Sequence, residues 1–334
     1  MAATRWGLCS TGLIAHDFCS ALKTLPSSEH QVVAVAARKR KDAEVFAKKF
    51  EIPASYGSYK ELASDTNVDI VYVGTIHPYH YSACMLFLEH RKHVLCEKPV
   101  TMTQDECQQL VDKAREKKLF FMEGIWTRFF PAFRAVREEL KTGSLGQITF
   151  VRACFLSPAR AILKANNKKR CAGGALMARG TYPVQFAQLV FGGKPDKIVA
   201  VQTGGDIGSV IILRYPGGAT AVLYYNEDSA DGSSTVTIHG TQGNLEIHDD
   251  MHTPTSITLP SGESKYFPLP EAEGTSFKWP SSIGFVYQAQ AVRTCLQQGL
   301  LESPEMTHED SLNIVAILQE ARAQLGMKYE PPQL

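Results

Sequence analysis

The sequence predicts an α/β domain built on a parallel, doubly wound sheet, followed by an α+β domain with a large open antiparallel sheet. Two observations carry this. From residue 5 to about 124, short apolar runs alternate with helical stretches, the pattern of a sheet covered by helices on both faces. From about 197 to 248, strand-like runs follow one another with only short turns between them, the pattern of antiparallel pairing. The boundary is set at 124/125, with a nucleotide-binding domain over 1–124 and a substrate and dimerisation domain over 125–334. The last two helices are candidates to pack back on the first domain.

The elements follow in order. Arg5 to Cys9 reads as the first strand, and the turn Ser10-Thr11-Gly12 leads to a helix over 13–25. Gln31 to Ala37 is a second strand and Lys41 to Phe50 a helix. Asp69 to Gly74 is a third strand, followed by a helix over 80–89. His93 to Cys96 is a fourth strand, ending at Glu97-Lys98-Pro99. Thr103 and Glu106 form a capping-box signature for a helix reaching Lys117, and Leu119 to Met122 is a short strand. Beyond Ile125 come a helix over 131–142, a strand over 147–155, a basic loop over 164–172 and a helix over 175–191. Strands are expected at 197–203, 209–215, 219–226, 234–240 and 243–248, with a short one at 263–267. Pro216-Gly217-Gly218 and Gly240-Thr241-Gln242-Gly243 supply turn chemistry. Helices over 283–299 and 307–326 close the chain.

The totals narrow the function. The chain has 334 residues, 44% hydrophobic and 21% charged, as expected of a water-soluble globular protein of two domains. A formal charge of +1 gives no electrostatic case for a nucleic-acid or membrane partner. No apolar run reaches transmembrane length, and Met1 to Trp6 leads straight into a strand rather than a signal-type segment. None of the eight cysteines has C-x-x-C spacing, so no metal is expected, and reduced thiols in the cytosol are the reading.

Ligands bind outside the carboxyl ends of parallel strands, so the residues there are the candidates. Ser10-x-Gly12-x-x-Ala15 occupies the first strand-to-helix turn, where a dinucleotide fingerprint belongs. Gly12 lets the backbone approach a pyrophosphate, and Leu13 and Ile14 open the helix whose amino terminus favours its charge. Ser10 stands where the fingerprint has glycine, and read alone the stretch is also an ordinary tight turn. The second strand ends in Arg38-Lys39-Arg40-Lys41, where an NAD site has an acid. Cations there attract a 2′-phosphate, and Arg38 is suited both to bond it and to stack on adenine, which favours NADP(H). Thr75, His77 and His80 follow the third strand as cofactor-site candidates; Thr75 and His77 lie over the crevice expected to hold Lys98, and either histidine reads equally as a partly buried loop residue. Read on its own, Lys98 is either a proton-transfer group or a surface lysine in a turn.

Together these residues resemble the glucose–fructose oxidoreductase/inositol dehydrogenase family. The resemblance is carried by Ser10 to Ala15, Val73-Gly74-Thr75, His93 to Pro99, and Gly173-Gly174-Ala175-Leu176 with Gly180 and Tyr182. It implies a Rossmann domain, NADP(H) as cofactor, a cytosolic location and a homodimer paired through the antiparallel sheet. It further implies oxidation of trans-dihydrodiols of aromatic hydrocarbons and of aldoses such as D-xylose, with reduction of dicarbonyls in reverse. Lys98 and Tyr182 are then the catalytic acid–base pair, and Glu97 joins the cofactor residues. Trp126, Arg128, Phe129 and Phe155 fall on the substrate side, although hinge packing equally accounts for the first three.

The sequence departs from the family pattern on the substrate side. The aspartate four residues before the tyrosine is Ala178, and Arg179 stands where the family has an apolar residue. The loop over 164–171 is strongly basic, and an expected acidic pair is reduced to Asp206. Two readings follow: an active NADP-dependent dehydrogenase, or a catalytically impaired NADP(H)-binding homologue.

Overall fold

The computed structural model describes residues 2–158, 174–205, 207–229, 234–248 and 250–329. The basic loop over 164–171, Gly173 and Asp206 lie outside the described residues. The chain forms two compact units. The first comprises Met1–Thr101, Asp105–Trp126 and Leu269–His308, and the second Met102–Gln104, Thr127–Pro268 and Glu309–Leu334.

In the first unit six parallel strands form one sheet. They are β1 (Thr4–Cys9), β2 (His30–Ala36), β3 (Ala54–Tyr56), β4 (Ile70–Val73), β5 (His93–Glu97) and β6 (Phe121–Gly124), ordered β3-β2-β1-β4-β5-β6. The order reverses between β1 and β4, the position at which doubly wound sheets open a crevice for a ligand. β4 is buried at all four positions and β5 at four of five, as strands covered on both faces must be. α1 (Leu13–Leu22), α2 (Arg40–Phe50), α3 (Tyr59–Ser64) and α4 (His80–Glu89) connect the strands. Phe18 of α1 stacks on Tyr72 of β4, ring centroids 3.9 Å apart. β3 and α3 are not anticipated by the sequence reading, because three residues between Pro53 and Gly57 are too few to show a period.

α1 also holds a distant part of the chain. Asp17 is fully buried and accepts hydrogen bonds from the backbone N–H of Lys278 (2.8 Å), the N–H of Trp279 (2.9 Å) and Ser282 Oγ (2.7 Å). The helix that follows this segment, Phe285–Gln297, is part of the first unit, and it is one of the closing helices that the sequence made candidates to pack there.

The second unit is an eight-stranded sheet. Its strands are β7 (Ile148–Leu156), β8 (Lys197–Gln202), β9 (Gly208–Arg214), β10 (Thr220–Asn226), β11 (Val236–Gly240), β12 (Asn244–His248), β13 (Ser256–Thr258) and β14 (Ser264–Tyr266), ordered β14-β13-β12-β11-β7-β10-β9-β8. All its pairs are antiparallel except β10 with β7, which run parallel at the centre. The expected sheet is thus mostly, not wholly, antiparallel: β7 and β10 are neighbours joined by a long connection rather than a turn. β10 alternates buried and half-buried residues along its whole length, so one face is covered and the other open.

The helix expected over 175–191 starts with a π-helical turn, Leu176–Gly180, and continues as an α-helix over Thr181–Phe191. This wider turn alters the simple helix-face relation expected between Ala178 and Tyr182. Gly180 lets the segment rest on the sheet: a Cβ there would lie 3.0 Å from Leu176 Cδ1 and 3.3 Å from Tyr225 Cε1. Among the described residues, no helix is long and apolar enough to cross a membrane.

Candidate active site

In the first unit the sequence candidates converge on the carboxyl edge of β1, β4 and β5. Ser10 has φ 121°, a conformation natural to glycine, which accounts for its place in a glycine-type turn. Its Oγ accepts from the N–H of Gly12 at 3.0 Å. Gly12 precedes α1 with no side-chain cap, so the helix start presents N–H groups to an anion. A Cβ on Gly12 would lie 3.3 Å from Ser10 Oγ and 3.9 Å from the carbonyl of Gly74. Leu13 is 40% exposed at that helix start, and a Cβ on Gly74 would lie 3.4 Å from the methyl of Ile14.

At the end of β2, Arg38 and Lys39 are exposed. Arg40 is ion-paired to Glu61 at 2.8 Å, so part of the basic cluster is used within the protein.

After β4, Thr75 Oγ1 is buried without a hydrogen-bond partner among the described residues, and His77 begins a short 3-10 turn. His80 is a strut rather than an open ligand. Its Nδ1 lies 2.8 Å from the carbonyl of Pro99 and its Nε2 2.9 Å from that of Thr75, tying the loops after β4 and β5 together. Burial and then the Lys98 charge hold its pKa below the ordinary range, against the opposing pull of the two carbonyls.

Lys98 is half-buried and precedes Pro99 through a cis peptide bond. Glu97 is turned inward: Tyr72 Oη donates to its carboxylate at 2.8 Å and the Lys98 N–H at 3.2 Å. Burial raises the Glu97 pKa, while Lys98, Tyr72 and the backbone N–H oppose the rise. Glu97 thus shapes the strand end on which Lys98 stands. The glycine turn, the uncapped helix start and the unsatisfied Thr75 hydroxyl fit a dinucleotide, and Lys98 stands at the end of a strand on the same sheet edge.

Trp126 belongs to this unit, is 6% exposed and packs on Phe285 at 4.4 Å. Sequence reasoning gave no sign of Gln288, a fully buried amide in the helix over 285–297. Its oxygen and nitrogen have no partner among the described residues, and Nε2 lies 3.4 Å from where a Gly124 Cβ would be.

In the second unit Phe155 of β7 is the centre of an aromatic group. Tyr182 stacks on it at 5.2 Å, and His252 meets it edge-on at 5.0 Å. His252 also contacts Tyr182 at 5.4 Å. The Arg179 guanidinium lies 5.6 Å from the centre of the Phe155 ring. Tyr182 and Phe155 are therefore brought together, while His252, lying in a loop without a motif, was not anticipated. Arg128 and Phe129 do not join them. Arg128 is 1% exposed, paired to Asp310 at 2.8 Å and bonded to Gln185; Phe129 is fully buried. Both are buried within the unit, and packing is the role the structure shows for them. Among the described residues, no three His, Cys, Asp or Glu side chains are grouped to hold a metal.

A doubly wound sheet with this strand-end turn, in a chain that also forms an open sheet, defines a dinucleotide-binding protein of the two-domain oxidoreductase class. The comparisons give the family. Residues 4–125 match the oxidoreductase family with NAD-binding Rossmann fold, and 133–246 match the GFO/IDH/MocA C-terminal domain. Trans-1,2-dihydrobenzene-1,2-diol dehydrogenase of Bos taurus is 46% identical over 98% of both chains, and that of Danio rerio 43% identical over the same share. Among solved structures, a levoglucosan dehydrogenase with NADH and levoglucosan superposes with TM-score 0.82 at 17% identity, covering 97% of each chain. A 3-ketoreductase from Actinomadura kijaniata with NADP and TDP-benzene gives 0.78 at 26% identity, over 96% of this chain and 97% of the other. This chain belongs to the GFO/IDH/MocA family of nicotinamide-dependent oxidoreductases.

Proposed function

We propose that this protein is an NADP-dependent dehydrogenase that oxidises trans-dihydrodiols of aromatic hydrocarbons and aldoses such as D-xylose, and reduces dicarbonyls in reverse. The observation that carries the reading is the 46% identity, end to end, with trans-1,2-dihydrobenzene-1,2-diol dehydrogenase. NADP rather than NAD is supported by exposed Arg38 and Lys39 at the end of β2, where an acid would repel a 2′-phosphate.

The bound nicotinamide supplies the hydride acceptor. Tyr182 takes the hydroxyl proton of the substrate. A tyrosine with an ordinary pKa of about 10 does this near neutrality only if a cation stabilises its phenolate. Lys98 is assigned that charge, so that the two share one proton. Phe155 offers an apolar wall suited to a dihydrodiol ring.

The protein is further proposed to act as a homodimer in the cytosol. Val199, Val201, Val210, Ile212 and Val222 share the open face of the sheet by strand register, with Val201 and Ile212 55% and 38% exposed. The seven described cysteines are free thiols, which suits a reducing compartment.

A second reading, a catalytically impaired NADP(H)-binding homologue, is favoured by Ala178, which has no group to orient Tyr182. One experiment separates the two: NADPH titration by fluorescence, then oxidation assays with D-xylose and a benzene dihydrodiol. Binding with turnover supports the dehydrogenase, and binding without turnover the impaired homologue. Failure to bind NADPH removes both.

A further inference from the structure

We infer that Arg179 makes the substrate pocket selective for a sugar carrying a carboxylate, such as a uronic acid. The inference rests on the dehydrogenase reading and narrows its substrate class. Arg179 lies in the π-helical turn three residues before Tyr182. Both side chains meet the same ring, with Tyr182 stacked at 5.2 Å and the Arg179 guanidinium 5.6 Å from its centre.

The way the guanidinium is held matters most. Among the described residues it donates to Glu227 alone, through Nε, at 3.3 Å. Arginine–carboxylate pairs are frequently bidentate, with two parallel N–H···O bonds. Here Nε alone donates, from the side edge of the guanidinium, and among the described residues Nη1 and Nη2 have no hydrogen-bond partner. The side chain is only 23% exposed, and the Glu227 side chain 3%. Aromatic contact and Glu227 thus fix a planar donor pair beside the proposed proton acceptor.

The charge balance selects the ligand. Glu227 offsets the single charge of Arg179, so a further anion is held by hydrogen bonds to the guanidinium rather than by net charge, and Glu227 repels a monoanion less than a phosphate dianion. A carboxylate also matches the two parallel donors. D-glucuronate keeps the pyranose frame of D-xylose and adds a carboxylate at C5, so the pair isolates the charge.

The test compares kcat/KM for D-glucuronate, D-xylose, D-glucose and D-glucose 6-phosphate with NADP. Wild-type protein is expected to favour D-glucuronate over D-xylose, with that ratio falling about tenfold or more in Arg179→Leu. Arg179→Lys, which keeps the charge but loses the fork, is expected to fall between them. NADPH fluorescence titration establishes that each variant is folded. If Arg179→Leu does not fold, Arg179→Lys decides on the same ratio. An unchanged ratio, or a preference for D-glucose 6-phosphate over D-glucuronate, overturns the inference. If neither a sugar nor a benzene dihydrodiol is oxidised although NADPH binds, the dehydrogenase reading fails separately. Calorimetric titration of D-glucuronate into NADPH-loaded protein then decides: saturable binding weakened in Arg179→Leu upholds the inference, and absent or equal binding overturns it.

Discussion

The first unit puts its candidate chemistry on backbone, the second on side chains. At the edge of β1, β4 and β5 the important groups are a glycine turn, an uncapped helix start and loops tied by His80. In the second unit the group around Phe155 is made of Tyr182, His252 and Arg179, brought together from a helical segment and a loop. Backbone sites resist substitution because a loop's path survives changes beside it. A side-chain cluster is rewritten by one replacement, and the departures of this sequence, Ala178 and Arg179, fall there.

Substitutions on either side sharpen that contrast. The largest effect is expected at Lys98, where function returns to a single side chain in the first unit. Lys98→Met should lower carbonyl reduction about a thousandfold with NADPH affinity kept. Single-turnover kinetics with fluorescence titration check this, and unchanged turnover would remove Lys98 from the chemistry.

Acid should strike the first unit. The histidines that burial holds below their ordinary pKa, His30, His80, His93 and His308, all belong to it. His30, pushed down to about 4, accepts a hydrogen bond from Trp6 Nε1 at 3.2 Å, so it must stay neutral. Its unfolded form binds a proton below about 6.5, whereas its folded form does so only near 4. Its contribution is therefore complete above pH 6.5 and is lost as the pH falls towards 4, by up to about 3 kcal/mol. Thermal melts across this window should show the loss, and His30→Phe should flatten the slope.

Arg38→Ala is expected to weaken NADPH binding about thirtyfold and NADH binding far less, since a charge-assisted contact contributes roughly 2 kcal/mol. Equal weakening of both would place Arg38 away from the 2′-phosphate. The smallest change concerns the second unit: Ala178→Asp should raise turnover about tenfold by orienting the phenol of Tyr182. No gain with D-xylose or the dihydrodiol would show that the π-helical turn, rather than the missing carboxylate, sets the geometry.

The sequence made most of this legible where local physics acts alone. Alternating runs announced the strands of the first sheet up to β6, apart from the three-residue β3. The strand-end rule brought Gly12, Thr75 and Lys98 to one edge. It failed where distant partners decide. Glu97 reads as a site carboxylate until Tyr72 is seen to hold it inward. Arg128 reads equally as a pocket wall or as packing, and its partner Asp310 lies too far along the chain to be seen in the sequence. His80 reads equally as a ligand or as a buried loop residue, and its two carbonyl neighbours, Thr75 and Pro99, show only in the structure. The parallel pairing of β7 with β10 was likewise hidden, since residues about 70 apart set it.

The bond network of Asp17 also has a consequence in time. Its donors lie up to 265 residues further along the chain. A ribosome adds about 5–20 residues per second, so roughly 8–30 s separate the emergence of β6 from that of the segment satisfying Asp17. During that interval the nascent first unit carries a carboxylate with no seat for its closing segment. Chains stalled before residue 278 should remain protease-sensitive and hold NADPH poorly, even with all six strands already made.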